Sequence, residues 1–141
     1  MKTSVWIMGI LAVAFCPVVT WADDSYMTYG KANGKYWAET LGNLPGETAQ
    51  FAKTGYIQGL EDGLTDYMNE SGSARRMLET LEGIPMNDKL KALDKAFSEE
   101  ANGSIPIPSM LALLCSKIKG DISQDEYDSL LEVMRTRYSQ R

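Results

Sequence analysis

Phe51 to Met68 reads F-A-K-T-G-Y-I-Q-G-L-E-D-G-L-T-D-Y-M, and this stretch constrains the fold more than any other. Phe51, Tyr56, Leu60, Leu64, Tyr67 and Met68 recur at helical spacing. Gly55, Gly59 and Gly63 fall every fourth residue, which on a helix lines them along one shallow ridge. Inside a helix each glycine costs up to about 1 kcal/mol against alanine, so three in a row call for a structural return. The expected return is close approach of a second helix, as in small-xxx-small packing. The stretch therefore predicts a long central helix from about Pro45 to Asn69 with a neighbour seated on its glycines.

The N-terminus reads as an export signal. Lys2 precedes an apolar run from Val5 to Val19, and Thr20-Trp21-Ala22 offers cleavage after Ala22. A membrane anchor would want about 20 apolar residues, and Pro17 interrupts this run. A lipoprotein signal at Cys16 would want a small residue where Phe15 stands. The expected organisation is a signal peptide at 1–22, a loose arm at 23–32 and one helical domain at 33–141, in the periplasm or secreted. Losing 22 of 141 residues leaves 119, enough for one core without staples. Losing Lys2 moves the formal charge from −5 to −6. An acidic chain has no electrostatic footprint for nucleic acid or for anionic membrane surfaces. Cys115 is then the one remaining cysteine, so no disulfide can form within the chain. Its apolar surroundings favour a buried thiol, with intermolecular pairing or reactivity as the alternatives.

Further helices follow from caps and stop signals. Asn33 caps a short helix through Leu41, with Tyr36, Trp37 and Leu41 inward, and Gly42-Asn43 ends it. Ser73 caps a helix carrying Met77, Leu78 and Leu81, which stops at Gly83. Asn87 or Asp88 caps the next, with Leu90, Leu93 and Phe97 inward and Lys89, Lys91, Asp94, Lys95, Glu99 and Glu100 on the wet side. Pro106 and Pro108 preset a helix from about Pro108 to Lys119, whose nearly continuous apolar residues predict the deepest burial. Ser123-Gln124-Asp125-Glu126 is a capping box that opens the last helix, with Tyr127, Leu130, Leu131, Met134 and Tyr138 as its apolar stripe. No stretch alternates with period two. The predicted fold class is all-α, a single compact bundle of five or six helices.

The chemistry is narrowed by what the chain lacks. Without histidine the usual general base is gone, and with it Ser-His and Cys-His pairs and most zinc sites. Ser116 and Lys117 are neighbours and point apart on a helix. Mid-helix glycines are not a phosphate loop. The carboxylate line Asp62, Asp66 and Glu70, with Glu61 beside it, is the candidate cation site, but one helix face does not surround an ion. Its plainer reading is a solvated acidic face, or a docking patch for a basic partner. No cofactor is called for.

Gly55-Tyr56-Ile57-Gln58-Gly59 resembles the G-Y-x-x-G signature of small exported bacterial helical proteins without an assigned function. Asn102-Gly103-Ser104-Ile105-Pro106-Ile107 looks like their N-x-x-I-P-[IV] turn, and Asn33-Gly34-x-Tyr36-Trp37 like their N-G-x-x-W opening. The likeness covers most of Asn33 to Arg137. A more distant likeness is to periplasmic amidase-immunity proteins of type VI secretion, which carry a G-Y-[IL]-x-G helix. Their use of disulfides departs from this chain. The export signal, the acidic composition and the missing catalytic apparatus lead to the expectation of an exported, non-enzymatic protein that binds a protein partner in the cell envelope, with inhibition or immunity, as in the distant likeness, as its specific form. A small carboxylate- or metal-dependent enzyme and an envelope chaperone or structural protein are the alternatives, and a homodimer stays open.

Overall fold

A computed structural model describes residues 24–67 and 71–139. The export signal with its cleavage point lies outside the described residues, as do Met68 and Glu70. The described chain is all-α, with a small hairpin at its start. A short turn at Asp24–Tyr26 leads into β1 (Met27–Thr28) and β2 (Lys31–Ala32). A wide π-type turn (Tyr36–Leu41) follows, then α1 (Glu47–Tyr67), α2 (Gly72–Leu81), α3 (Met86–Phe97), α4 (Ile107–Lys119) and α5 (Gln124–Ser139). No helix among the described residues is long and apolar enough to cross a membrane.

Helix α4 is the centre of the bundle, packed against α2, α3 and α5. Six of its side chains are buried, and Ile107, Met110, Leu111 and Cys115 are sealed completely. Its apolar residues cover most of the helix circumference, so it can only sit inside. Pro106 precedes the helix and Pro108 lies in its first turn, as expected. Gly120, at φ 78°, closes it with a left-handed residue. The capping box of α5 also forms as read: the Glu126 N–H donates to Ser123 Oγ at 3.2 Å, and Glu126 Oε2 accepts from the Ser123 N–H at 2.8 Å.

Several details differ from expectation. The segment expected to be a loose arm folds back as an antiparallel hairpin, Met27 opposite Ala32 and Thr28 opposite Lys31. Tyr29 and Gly30 both take positive φ, as a tight two-residue hairpin turn requires. Thr28 anchors it, donating from Oγ1 to the Ser104 carbonyl at 2.7 Å. Ser71, not Ser73, caps α2, accepting from the Ala74 N–H. Helix α3 starts at Met86, directly after Pro85, rather than at an Asn87 or Asp88 cap.

The central correction concerns the glycines. A Cβ built on Gly55, Gly59 or Gly63 meets nothing within 4 Å. Among the described residues no helix lies over them, and Phe51, on the same face, is 73% exposed. The side of α1 that turns inward carries Lys53, Tyr56, Ile57, Leu60, Glu61 and Leu64, with Ile57 fully buried. The ridge is turned about 130° from the middle of that stripe, into open space. Leu130 on α5 is likewise on the outside, 45% exposed, whereas Tyr127, Leu131, Met134 and Tyr138 pack inward.

The close approach happens at Gly34 instead. A Cβ there would stand 2.3 Å from Phe97 Cδ1 and 2.9 Å from the Asn102 carbonyl oxygen. Gly34→Ala should therefore cost about 1–3 kcal/mol through overpacking. Gly59→Ala, in open space on a helix, should stabilise by up to about 1 kcal/mol. Urea denaturation of both variants checks the pair of signs.

Candidate functional site

The sequence motifs assemble into a structural seam. The Gly34 N–H donates to the Ile105 carbonyl at 3.1 Å and the Lys35 N–H to the Gly103 carbonyl at 3.0 Å. Asn33 pairs with Pro106 in a bridge between the two segments. The Asn33 side chain is 2% exposed; its Nδ2 donates to the Ser25 carbonyl at 2.9 Å and its Oδ1 accepts the Tyr36 N–H at 3.2 Å. Asn102 is 1% exposed, and its Nδ2 donates to the Ala96 carbonyl at 2.7 Å. Arg135 Nε reaches from α5 to Asn102 Oδ1 at 2.8 Å, and its guanidinium also holds Glu99. Tyr56 of the G-Y-x-x-G segment joins the seam by packing edge-on against Trp37, ring centres 6.4 Å apart. Trp37 is a core anchor, as expected. Its indole N–H donates to Asp94 Oδ1 at 2.8 Å, and that oxygen also takes Lys53 Nζ at 2.6 Å. All of these polar groups are satisfied within the protein, so Tyr56, Asn102, Ile105 and Pro106 hold the fold together and point at no ligand.

The outer face of α1 is different. Phe51, Gly55, Gly59 and Gly63 run along it, with Asp62 and Asp66 beside them, both exposed. The two carboxylates stand on one helix face, and among the described residues no metal-holding group forms around them. Glu70, the third member of the line, lies outside the described residues. No group of three or more Cys, Asp or Glu side chains that could hold a metal ion exists among the described residues.

Glu61 leaves that acidic face and turns inward, where it pairs with Lys89 of α3. Lys89, expected on the wet side, is only 5% exposed. Its position among Met86, Leu90, Leu93, Ala96 and Phe97 places it within the apolar stripe of α3, the signal that sequence reading missed. A cleft of about 740 Å³ opens over the pair, rimmed by Thr65, Arg75, Glu79 and Glu82. With its ammonium bound to Glu61, Lys89 has a structural partner, and breaking such a pair would leave a charge stranded.

A second cleft, about 550 Å³, lies where α3, α4 and α5 meet. Ala92, Ala96, Leu114 and Leu131 contribute to its apolar lining; Lys95, Lys117 and Arg135 share its edge with Glu99 and Asp128. Lys117 Nζ sits 3.9 Å above the Tyr127 ring. Burial, with Glu99 and Asp128 nearby, pushes the Tyr127 phenol up, so it stays protonated at neutral pH.

Cys115 is completely buried and free. Burial pushes its thiol from 9.0 up to about 11, against the opposing pull of Lys89 and Lys119. A neutral thiol with no access to solvent is not a nucleophile.

Comparisons with protein-family models, with curated proteins and with solved structures found no match.

The thiol gives two tests. N-ethylmaleimide at pH 8 should label native Cys115 on the order of 100-fold or more slowly than the unfolded chain, because labelling requires opening of α4. The folded thiol titrates above the unfolded one. The stability it contributes is therefore intact below pH 9.0 and lost as pH rises toward about 11. Urea midpoints across that range should fall for wild type and fall less for Cys115→Ala.

Proposed function

We infer that this chain is a non-enzymatic helical protein that acts by binding a protein partner in the cell envelope, through the outer face of α1. One observation carries the reading. Three glycines sit in open space on a half-exposed helix, at up to about 1 kcal/mol each, and no contact among the described residues offsets that cost. Departures from local preference concentrate at functional sites. Phe51 projects at the N-terminal end of the same face, and an exposed large aromatic beside small residues offers an anchor and close approach to a partner. Asp62 and Asp66 give that face a negative edge, which suits a basic helical segment of the partner.

The wider support comes from the sequence. The leader reads as an export signal, the chain has no histidine, and its formal charge is −5. The likeness of its motifs to exported helical proteins, and more distantly to amidase-immunity proteins, favours an inhibitor or immunity role as the specific version. The carboxylate enzyme gains nothing from the geometry of Asp62 and Asp66.

The decisive experiment is capture from envelope extract by wild type, Gly59→Leu and Phe51→Ala. Because the space over Gly59 is open, Gly59→Leu should melt within a few degrees of wild type while losing the partner by blocking its close approach to the helix. Phe51→Ala should weaken capture about tenfold or more, as for an aromatic anchor. Recovery of no partner above background, or capture indifferent to both substitutions, would sink the reading.

A further inference from the structure

A second, independent surface lies on α5. Glu126, Leu130, Val133 and Arg137 are spaced four, three and four residues apart, so they share one stripe within about a sixth of the helix circumference. That stripe lies on the flank of α5, away from the Tyr127, Leu131, Met134 and Tyr138 positions that face the core. Val133 is 63% exposed and Leu130 45%, the largest exposed apolar pair on the helix. Nothing among the described residues covers them.

The order of the stripe is acid, apolar, apolar, base, and this order is self-complementary. If two such helices run antiparallel, with the twofold axis between Leu130 and Val133, Leu130 of one copy meets Val133 of the other. The same register sets Glu126 of each copy opposite Arg137 of its mate. Both ends of the interface then carry an opposite-charge pair, and both centres an apolar contact. In a parallel arrangement like charges would face each other. The charged groups are free to serve. Glu126 uses Oε2 for its bonds to Ser123, and Oε1 takes part in none of them. Arg137 has no ion pair among the described residues; its guanidinium lies 5.7 Å from the Tyr138 ring. Asp128 and Glu132 project from other sides of the helix and do not enter the seam.

We propose that α5 is a homodimerisation surface, pairing antiparallel with α5 of a second copy through Leu130 and Val133 and flanked by two Glu126–Arg137 ion pairs. A stripe of this length buries less than a standard interface of about 1,600 Å², so the dimer is weak and forms at high local concentration. It leaves the outer face of α1 free, and it stands or fails independently of what that face binds.

Sedimentation velocity of the purified protein over a wide concentration range tests it, with circular dichroism confirming that each variant is folded. Wild type should pass from monomer to dimer as concentration rises, and added salt should weaken the dimer. Val133→Asp should remain monomeric throughout. Arg137→Glu and Glu126→Arg should each weaken the dimer at least about tenfold, because each puts like charges together. Mixing those two variants should restore it, since in the heterodimer every acid again faces a base. A wild type that stays monomeric at the highest concentration would overturn the proposal. So would a dimer that ignores Val133→Asp, or a mixture that fails to regain association.

Discussion

The structure depends on a short backbone seam between residues 33–35 and 103–106. Two N–H···O=C bonds and one bridge join segments about 70 positions apart in sequence. Around this seam the buried amides of Asn33 and Asn102 are fully satisfied. Removing either side chain would strand buried donors or acceptors at about 1–3 kcal/mol each. The seam sets the direction in which Trp37 enters the core and thereby fixes where α1 and α3 can lie. Through Arg135 and Asn102 it also holds α5. The neighbouring Arg135–Glu99 ion pair is half exposed at its acid end and adds at most about 1 kcal/mol.

With α1 so placed, its two faces acquire opposite meanings. Tyr56, Ile57, Leu60 and Leu64 supply the hydrophobic contact, and Glu61 closes the gap by pairing with Lys89. What remains outward is Phe51, the glycine ridge and the exposed polar side chains of Gln58, Asp62 and Asp66. The core needs none of Phe51, Gly55, Gly59 or Gly63, and that face is the one proposed to meet a partner. Helix α5 follows the same logic on a smaller scale. Tyr127, Leu131 and Met134 are enough to dock it, so Leu130 and Val133 add nothing to the fold.

Much of the scaffold was legible because it rests on local chemistry. Ser123 and Glu126 announce the start of α5, Pro106 and Pro108 the start of α4, and continuous apolar residues its burial. Trp37 was readable as an anchor from its helical spacing with Tyr36 and Leu41. The orientation of the glycines was not read correctly, though the means were present. Tyr56, Leu60 and Leu64 already define an inward stripe, and Gly55, Gly59 and Gly63 each stand one residue before one of them, about 100° round the helix and off that stripe. Packing on the ridge would have needed a second layer of helices, and the described residues supply none there. Lys89 and Glu61 lie 28 residues apart, and no local pattern shows that they meet. The docked hairpin escaped notice for the same reason: Thr28 is held by Ser104, 76 residues away.

Native-state hydrogen exchange reads the seam directly. If it organises the fold, the amides of Gly34 and Lys35 should exchange only through global unfolding. Their opening free energies should then match those of the α4 core amides and fall in parallel with urea. Exchange of Gly34 and Lys35 through low-energy local fraying, while α4 stays protected, would contradict the account.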